Sequence, residues 1–144
     1  MRFLKQDRNR RQSKFSRLRI DPNILNKQFD KLDNGAPNEA YIIKGYGNIV
    51  FMRYQENGEN FITILDRADY ENIKDSLWEG FNEYIVKKED HKIYLHRVLC
   101  HGDITGMIVH HKGSRFDNRA DMLEPVTPKE HDRHRTYFDD LIIV

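Results

Sequence analysis

The sequence contains little of several residue types that would by themselves indicate a class of protein. Cys100 is the only cysteine, which excludes a disulfide framework and a cysteine-rich zinc site. No apolar run approaches the length that crosses a membrane, and the N-terminus lacks the apolar core of a signal peptide. These absences predict a cytoplasmic protein that does not contact membranes.

The chain also has little net charge, but that charge is unevenly distributed. The formal net charge is +1, whereas residues 1–19 contain eight basic residues and one acid, Asp7. This segment therefore carries +7 and the remainder −6. A basic arm is typical of proteins that bind nucleic acid, although a solvated tail or a segment that binds an acidic protein has the same composition. The candidate DNA-binding residues in the arm are Arg8, Arg10 and Arg11.

The length of 144 residues indicates one domain with an arm. Three regions follow from composition and pattern: a basic arm and linker at 1–40, a strand-helix module at 41–100, and a hairpin-helix unit with a C-terminal tail at 101–144. The predicted fold class is therefore α+β.

Apolar periodicity predicts the elements of the middle region. Tyr41 to Tyr54 is expected to form one or two strands, and Asn57-Gly58 a hairpin turn before a strand at 61–65. Asp66 is expected to cap the following helix. The predicted core positions of that helix are Tyr70, Ile73 and Leu77.

Three shorter elements are predicted beside these. Ile24 to Leu32 has helical spacing, and Leu95 to Cys100 is expected to form a short helix. Phe81 to Val86 and Lys92 to Leu95 are expected to pair as a second hairpin.

The most informative motif is Val109-His110-His111, which is followed by a polar loop that contains Asn118. Leu123 to Val126 is the predicted return strand. Thr127-Pro128-Lys129-Glu130 is a strong helix start, with Thr as the cap, Pro at the first position and Glu at the third. Because neighbouring side chains on a strand point to opposite sides, the two histidines are expected to serve different purposes.

This order of elements resembles the HNH nuclease family, in particular its phage- and intron-type members, which are homing-endonuclease-like. The resemblance covers about residues 48–135 and implies a small strand-helix module followed by a ββα-metal unit. The segments that carry it are Val109-His110-His111, Gly113 to Arg119, Leu123-Glu124, Val126-Thr127 and Glu130-His131, with Tyr94-Leu95-His96-Arg97 and Ile62 to Trp78 upstream.

The resemblance implies metal-dependent hydrolysis of DNA phosphodiester bonds in the cytoplasm of a bacterial host. His111 would be the general base, and His110 a ligand of a divalent metal, Mg²⁺ first, with Mn²⁺ or Zn²⁺ as alternatives. Asn118 would orient His111 or brace the loop. The implied contacts to flanking phosphates are Lys112, Arg115 and Arg119.

The sequence departs from the family pattern at Met122, where the family has a further Asn or His ligand. A thioether is a poor ligand for Mg²⁺, which prefers oxygen. Three readings remain open: Asp121 acts as the ligand, His131 on the helix coordinates instead, or the site holds no metal. The third reading predicts a catalytically silent regulator or inhibitor of phage origin that binds DNA or protein.

Overall fold

The computed structural model describes residues 4–6, 17–20 and 25–133. The helices are α1 (Leu25–Gln28), α2 (Arg67–Ile73), α3 (Leu95–Leu99) and α4 (Pro128–Arg133), with a 3₁₀ turn at Ala120–Met122. The strands are β1 (Leu4–Gln6), β2 (Leu18–Ile20), β3 (Phe29–Lys31), β4 (Ala40–Ile43), β5 (Tyr46–Glu56), β6 (Glu59–Asp66), β7 (Glu79–Phe81), β8 (Tyr84–Lys88), β9 (Lys92–Tyr94), β10 (Ile108–His111) and β11 (Leu123–Val126). The predicted mixture of α and β structure is confirmed. No helix in this part of the chain has the length and apolar content to cross a membrane.

Nine of the described strands form one sheet around the long strand β5. One edge of β5 pairs antiparallel with β6 over its length, from Ile49 opposite Asp66 to Glu56 opposite Glu59. The other edge is shared by β4, which is antiparallel, and β7, which is parallel. Strands β8 and β9 follow β7, and β2 and β1 follow β6. The sheet therefore branches at β5.

The turn between β5 and β6 confirms the predicted hairpin. Asn57 and Gly58 have φ angles of 52° and 82°, so both central residues are left-handed. A two-residue turn with this conformation matches the right-handed twist of the flanking strands, and Asn-Gly adopts it at low cost.

The two faces of the sheet bury separate hydrophobic clusters. Along β5, Val50, Met52 and Tyr54 belong to the first cluster, whereas Phe51 belongs to the second. This alternation is the two-residue period of a strand that is buried on both sides. The first cluster also includes Tyr70, Trp78, Leu95, Val109 and Leu123, and the second includes Leu18, Phe29, Tyr41, Ile62 and Ile64.

Strands β10 and β11 form a separate antiparallel hairpin that α4 follows. The register runs from Ile108 opposite Val126 to His111 opposite Leu123. Glu130 N–H donates to Thr127 Oγ1 at 3.0 Å, and Thr127 N–H donates to Glu130 Oε2 at 3.2 Å. This reciprocal capping box confirms the predicted helix start.

Two predictions about core-facing residues were wrong. The helix expected from Ile24 to Leu32 ends at Gln28, and Phe29 begins β3. The Phe29 ring makes an edge contact with Phe51, at 5.2 Å between centroids, so packing against the sheet overrides the helical spacing. Leu77 is 54% exposed because α2 ends at Ile73, and the buried Trp78 takes the core position instead.

Two further predictions need local correction. Phe81 to Val86 is not one strand, because Asn82 and Glu83 form a turn with φ angles of 48° and 70° between β7 and β8. Asp66 occupies the N-cap position of α2 but makes no side-chain cap bond. Its Oδ2 accepts instead from the N–H of Ala120, at 2.8 Å, and so holds the turn before β11.

Candidate functional site

The loop between β10 and β11 is hydrogen-bonded to the edge of β6 that faces away from β5. Ile64 N–H donates to Phe116 O at 2.8 Å, and Asn118 N–H donates to Ile64 O at 2.7 Å. Strand β2 occupies the neighbouring part of the same edge, with Leu18 opposite Ile62. The loop therefore extends the large sheet locally, and this attachment places the side chain of Asn118 beside β6.

A directed chain of hydrogen bonds joins β6 to His111. Thr63 Oγ1 donates to Phe116 O at 2.9 Å and accepts from Asn118 Nδ2 at 2.8 Å. Since Nδ2 is the donor, Asn118 Oδ1 must accept the proton of His111 Nε2, 2.8 Å away. The network thus assigns the Nε2–H tautomer, in which Nδ1 is the basic nitrogen. Thr63, His111 and Asn118 are all buried.

His111 lies in a narrow crevice between the hairpin and the sheet, here called the His111 crevice. Its free volume is about 360 Å³ when its open mouth is included, and its interior has room for about one water molecule. Beside His111, its lining includes Arg17, Glu83, Tyr84, His96, Arg115 and Asn118. This interior is large enough for a water molecule and too small for a nucleotide.

Aromatic contacts continue from His111 across the crevice. The rings of His111 and His96 are 5.2 Å apart, and His96 stacks on Tyr84 at 5.3 Å. The guanidinium of Arg115 lies 4.2 Å from the centre of the Tyr84 ring. His96 is buried.

His110 lies on the opposite side of β10 and is partly exposed. Its Nδ1 is 3.2 Å from Oε1 of Glu124, the residue directly opposite on β11. The Nζ of Lys112 is 3.9 Å from Glu124 Oε2. The predicted separation of the two histidines to opposite sides of the strand is therefore confirmed.

The described residues offer two donors for a metal ion at this position. No three His, Cys, Asp or Glu side chains in the described ranges form a metal-binding group. His110 and Glu124 supply one imidazole and one carboxylate. The carboxylate is a ligand that suits Mg²⁺ or Mn²⁺, whereas the imidazole suits Zn²⁺ better. Asp121 is exposed in the 3₁₀ turn, and His131 belongs to α4, with a side chain outside what is described.

Met122 packs against the start of the loop. A Cβ placed on Gly113 would lie 2.8 Å from the terminal methyl of Met122. Lys112 N–H donates to the carbonyl oxygen of Met122 at 2.9 Å. The terminal methyl of Met122 therefore packs on Gly113.

The basic residues of the loop have different surroundings. Arg119 makes a bidentate ion pair with Asp117, at 2.8 and 2.7 Å, which raises the pKa of Arg119 above its usual value. Asp117 therefore supports the turn, where it also accepts from the N–H of Arg119 at 3.3 Å. Lys112 is exposed and Arg119 is half-buried, whereas Arg115 lines the crevice. The predicted arm contacts Arg8, Arg10 and Arg11 lie outside the described residues.

Sequence reasoning missed three residues of the site: Thr63, Glu124 and Arg17. Thr63 carried a usable signal, because it is the hydroxyl between the apolar Phe61 and Leu65 on the inward face of β6. Glu124 could have been paired with His110 from the hairpin register. Arg17 had no signal that distinguished it from the other basic residues of the arm.

The chain was compared with known proteins. No protein-family model, curated protein or solved structure matches it. Support for a function therefore comes from the site's geometry and the His110-His111 motif with Asn118.

Proposed function

We propose that this protein hydrolyses phosphodiester bonds of DNA with an HNH-like ββα-metal unit, in which His111 is the general base. The directed chain from Thr63 through Asn118 to His111 supports this proposal. A base must be oriented before its substrate arrives, and a buried, fully bonded amide holds the imidazole in one tautomer and one direction.

In the proposed reaction, His111 Nδ1 takes a proton from a water molecule in the crevice. The water oxygen bonds to phosphorus, the bond to the leaving oxygen breaks, and solvent protonates that oxygen. His111 Nε2–H remains bonded to Asn118 Oδ1 throughout, which stabilises the imidazolium. Lys112 and Arg119 would contact flanking phosphates and position the DNA.

His110 and Glu124 would hold a divalent ion, Mg²⁺ before Mn²⁺ or Zn²⁺. Bound there, the ion would supply Lewis-acid stabilisation of the charge that develops on the phosphate and leaving oxygens. Asp121 and His131 stay predictions as additional ligands.

Nicking of supercoiled plasmid in Mg²⁺ or Mn²⁺ tests the proposal. We expect His111→Ala to lower the nicking rate by about 100-fold or more, the usual contribution of a general base. His101→Ala is the matched control, because His101 is exposed and pairs with Asp69 on α2, and it should retain the wild-type rate. Equal rates for wild type and His111→Ala would exclude His111 as the base.

A second candidate is a catalytically silent HNH-like regulator that binds DNA or protein. The packing of Met122 on Gly113, where the family has a ligand, favours it. This candidate predicts DNA binding without nicking in any divalent metal. Met122→Asn should then increase Mn²⁺ affinity in a calorimetric titration, and an unchanged affinity would show that position 122 is not a ligand position.

A further inference from the structure

We propose that Arg17 and Arg115 form a binding site for one phosphate of the nucleic-acid backbone at the mouth of the His111 crevice. This inference rests on the proposed action on DNA and adds the group that positions the backbone. It also assigns a specific role to one residue at the C-terminal end of the basic arm.

The position of Arg17 follows from strand alternation. Leu18 belongs to the second hydrophobic cluster, so Arg17 turns to the other face of the sheet. Its guanidinium lies 4.3 Å from the centre of the Phe61 ring, and its side chain is only 10% exposed. The buried hydroxyl of Tyr54, whose pKa is raised to about 12 mainly by burial, is hydrogen-bonded to the Arg17 side chain.

Only one edge of the Arg17 guanidinium is occupied by an acid. Nη2 contacts Glu56 Oε1 at 3.1 Å. Nη1 is buried and has no hydrogen-bond acceptor among the described residues. A buried charged donor without an acceptor is unfavourable, so its presence calls for an explanation such as a bound anion. A phosphate oxygen in the crevice would supply the acceptor.

Arg115 brings a second guanidinium to the same crevice. Its contact with the Tyr84 ring orients the planar group, and the loop that carries it adjoins β2 along the edge of β6. Two planar guanidinium groups suit a phosphate, because each can donate two parallel hydrogen bonds. The phosphate would lie at the mouth, and one of its oxygens, about the size of a water molecule, would enter the crevice that His111 and Asn118 also line.

Two carboxylates oppose this binding. Glu83 lines the crevice, and Glu56 is paired with Arg17. Glu56 fills the space beside Gly80, where a Cβ would collide with its side chain, so its position is fixed by packing. An incoming phosphate must therefore compete with Glu56 for Arg17, which provides a specific test.

The test is fluorescence anisotropy of a short labelled DNA duplex in EDTA, so that binding is measured without hydrolysis. Each contact removed should reduce the slope of log K against log salt by about 0.9. Because both residues contact the same phosphate, we expect a reduction of no more than this size for Arg17→Gln, for Arg115→Gln and for the double variant. Lys44→Gln is the control, because Lys44 pairs with Asp30 at the end of β5 that is remote from Glu56. It should leave the slope unchanged.

Glu56→Gln separates a phosphate site from a purely structural ion pair. The glutamine keeps Oε1, which accepts from Glu83 N–H at 3.3 Å, but loses the competing charge. We expect duplex affinity to rise several-fold in this folded variant. An unchanged or weaker affinity contradicts the proposal.

The remaining outcomes distinguish this inference from the proposed hydrolysis. Tight binding of inorganic phosphate with no gain from the duplex would indicate a small-anion site and overturn the assignment to a nucleic-acid backbone. Wild-type salt slopes in the double variant, with nicking intact, would overturn the phosphate site alone. Reduced slopes in a protein that never nicks would support the phosphate site and contradict the hydrolase.

Discussion

The two sides of strand β10 differ in how deeply their histidines are buried and in where the hydrogen-bond partners come from. On one side, His111 is 2% exposed and linked through Asn118 to Thr63 of the large sheet. On the other side, His110 is partly exposed and has a carboxylate from its own hairpin at 3.2 Å. The side of the proposed base, His111, therefore depends on contacts between distant segments, whereas the side of the proposed ligand, His110, depends on the hairpin alone.

This difference has an energetic basis. Buried polar groups must be fully hydrogen-bonded, so the network around His111 permits one arrangement of donors and acceptors. Exposed ion pairs contribute little to the free energy of unfolding, so their residues tolerate substitution. Substitutions on the two sides should therefore have unequal effects.

The largest expected effect on stability comes from the apolar packing beside His111. Leu123, opposite His111, is buried in the first cluster, and Leu123→Ala should reduce the free energy of unfolding by about 2–5 kcal/mol. Its neighbour Glu124 faces the open side, and Glu124→Ala should change stability by no more than about 0.5 kcal/mol. Urea denaturation of both variants measures the contrast, and equal losses would show that the two sides are equally important for folding.

A smaller effect is expected where the network begins. Thr63→Val removes the acceptor of Asn118 Nδ2 at nearly constant volume, which should cost about 1–3 kcal/mol. Thr63→Ser retains the hydroxyl and is the control. Nitrogen chemical shifts of the imidazole should report the Nε2–H tautomer of His111 in wild type and Thr63→Ser. Persistence of a single His111 tautomer in Thr63→Val would show that Thr63 does not set the direction of the hydrogen bonds between Asn118 and His111.

The smallest effect concerns an exposed histidine, for contrast with the buried one. The hydrogen bond to Asp69 raises the pKa of His101 above its ordinary value of 6.5. The stabilisation is therefore complete below pH 6.5, where His101 is charged in both states, and is lost as pH rises through the raised pKa. Because His101 is 68% exposed, we expect less than about 0.5 kcal/mol.

The stability difference between wild type and His101→Gln measures this contribution. It should be present well below pH 6.5 and disappear well above it. A difference that grew with rising pH would contradict the assigned pair.

Sequence reasoning succeeded where the structure depends on a few neighbouring residues. The Asn57-Gly58 turn, the strand at Leu123–Val126 and the start of α4 at Pro128 were all predictable. Left-handed turn conformations, strand alternation and caps are short-range effects, so the local sequence contains the information. The placement of His110 and His111 on opposite sides followed for the same reason.

Tertiary structure decided the features that depend on distant residues. Phe29 joins β3 because Phe51 offers its ring an apolar contact, and Asp66 bonds to Ala120 rather than capping its own helix. Arg17 reaches the crevice because β2 pairs with β6.

The candidate site shows the same division between features set by neighbouring residues and features set by tertiary contacts. By itself, the sequence determined the hairpin, its two histidines and the asparagine in its loop, since these follow from neighbouring residues. Only tertiary structure decided that Thr63, separated by 55 positions from Asn118, directs the hydrogen bonds to His111. That contact forms because the loop pairs with the edge of β6, and no local pattern specifies which edge a loop will find.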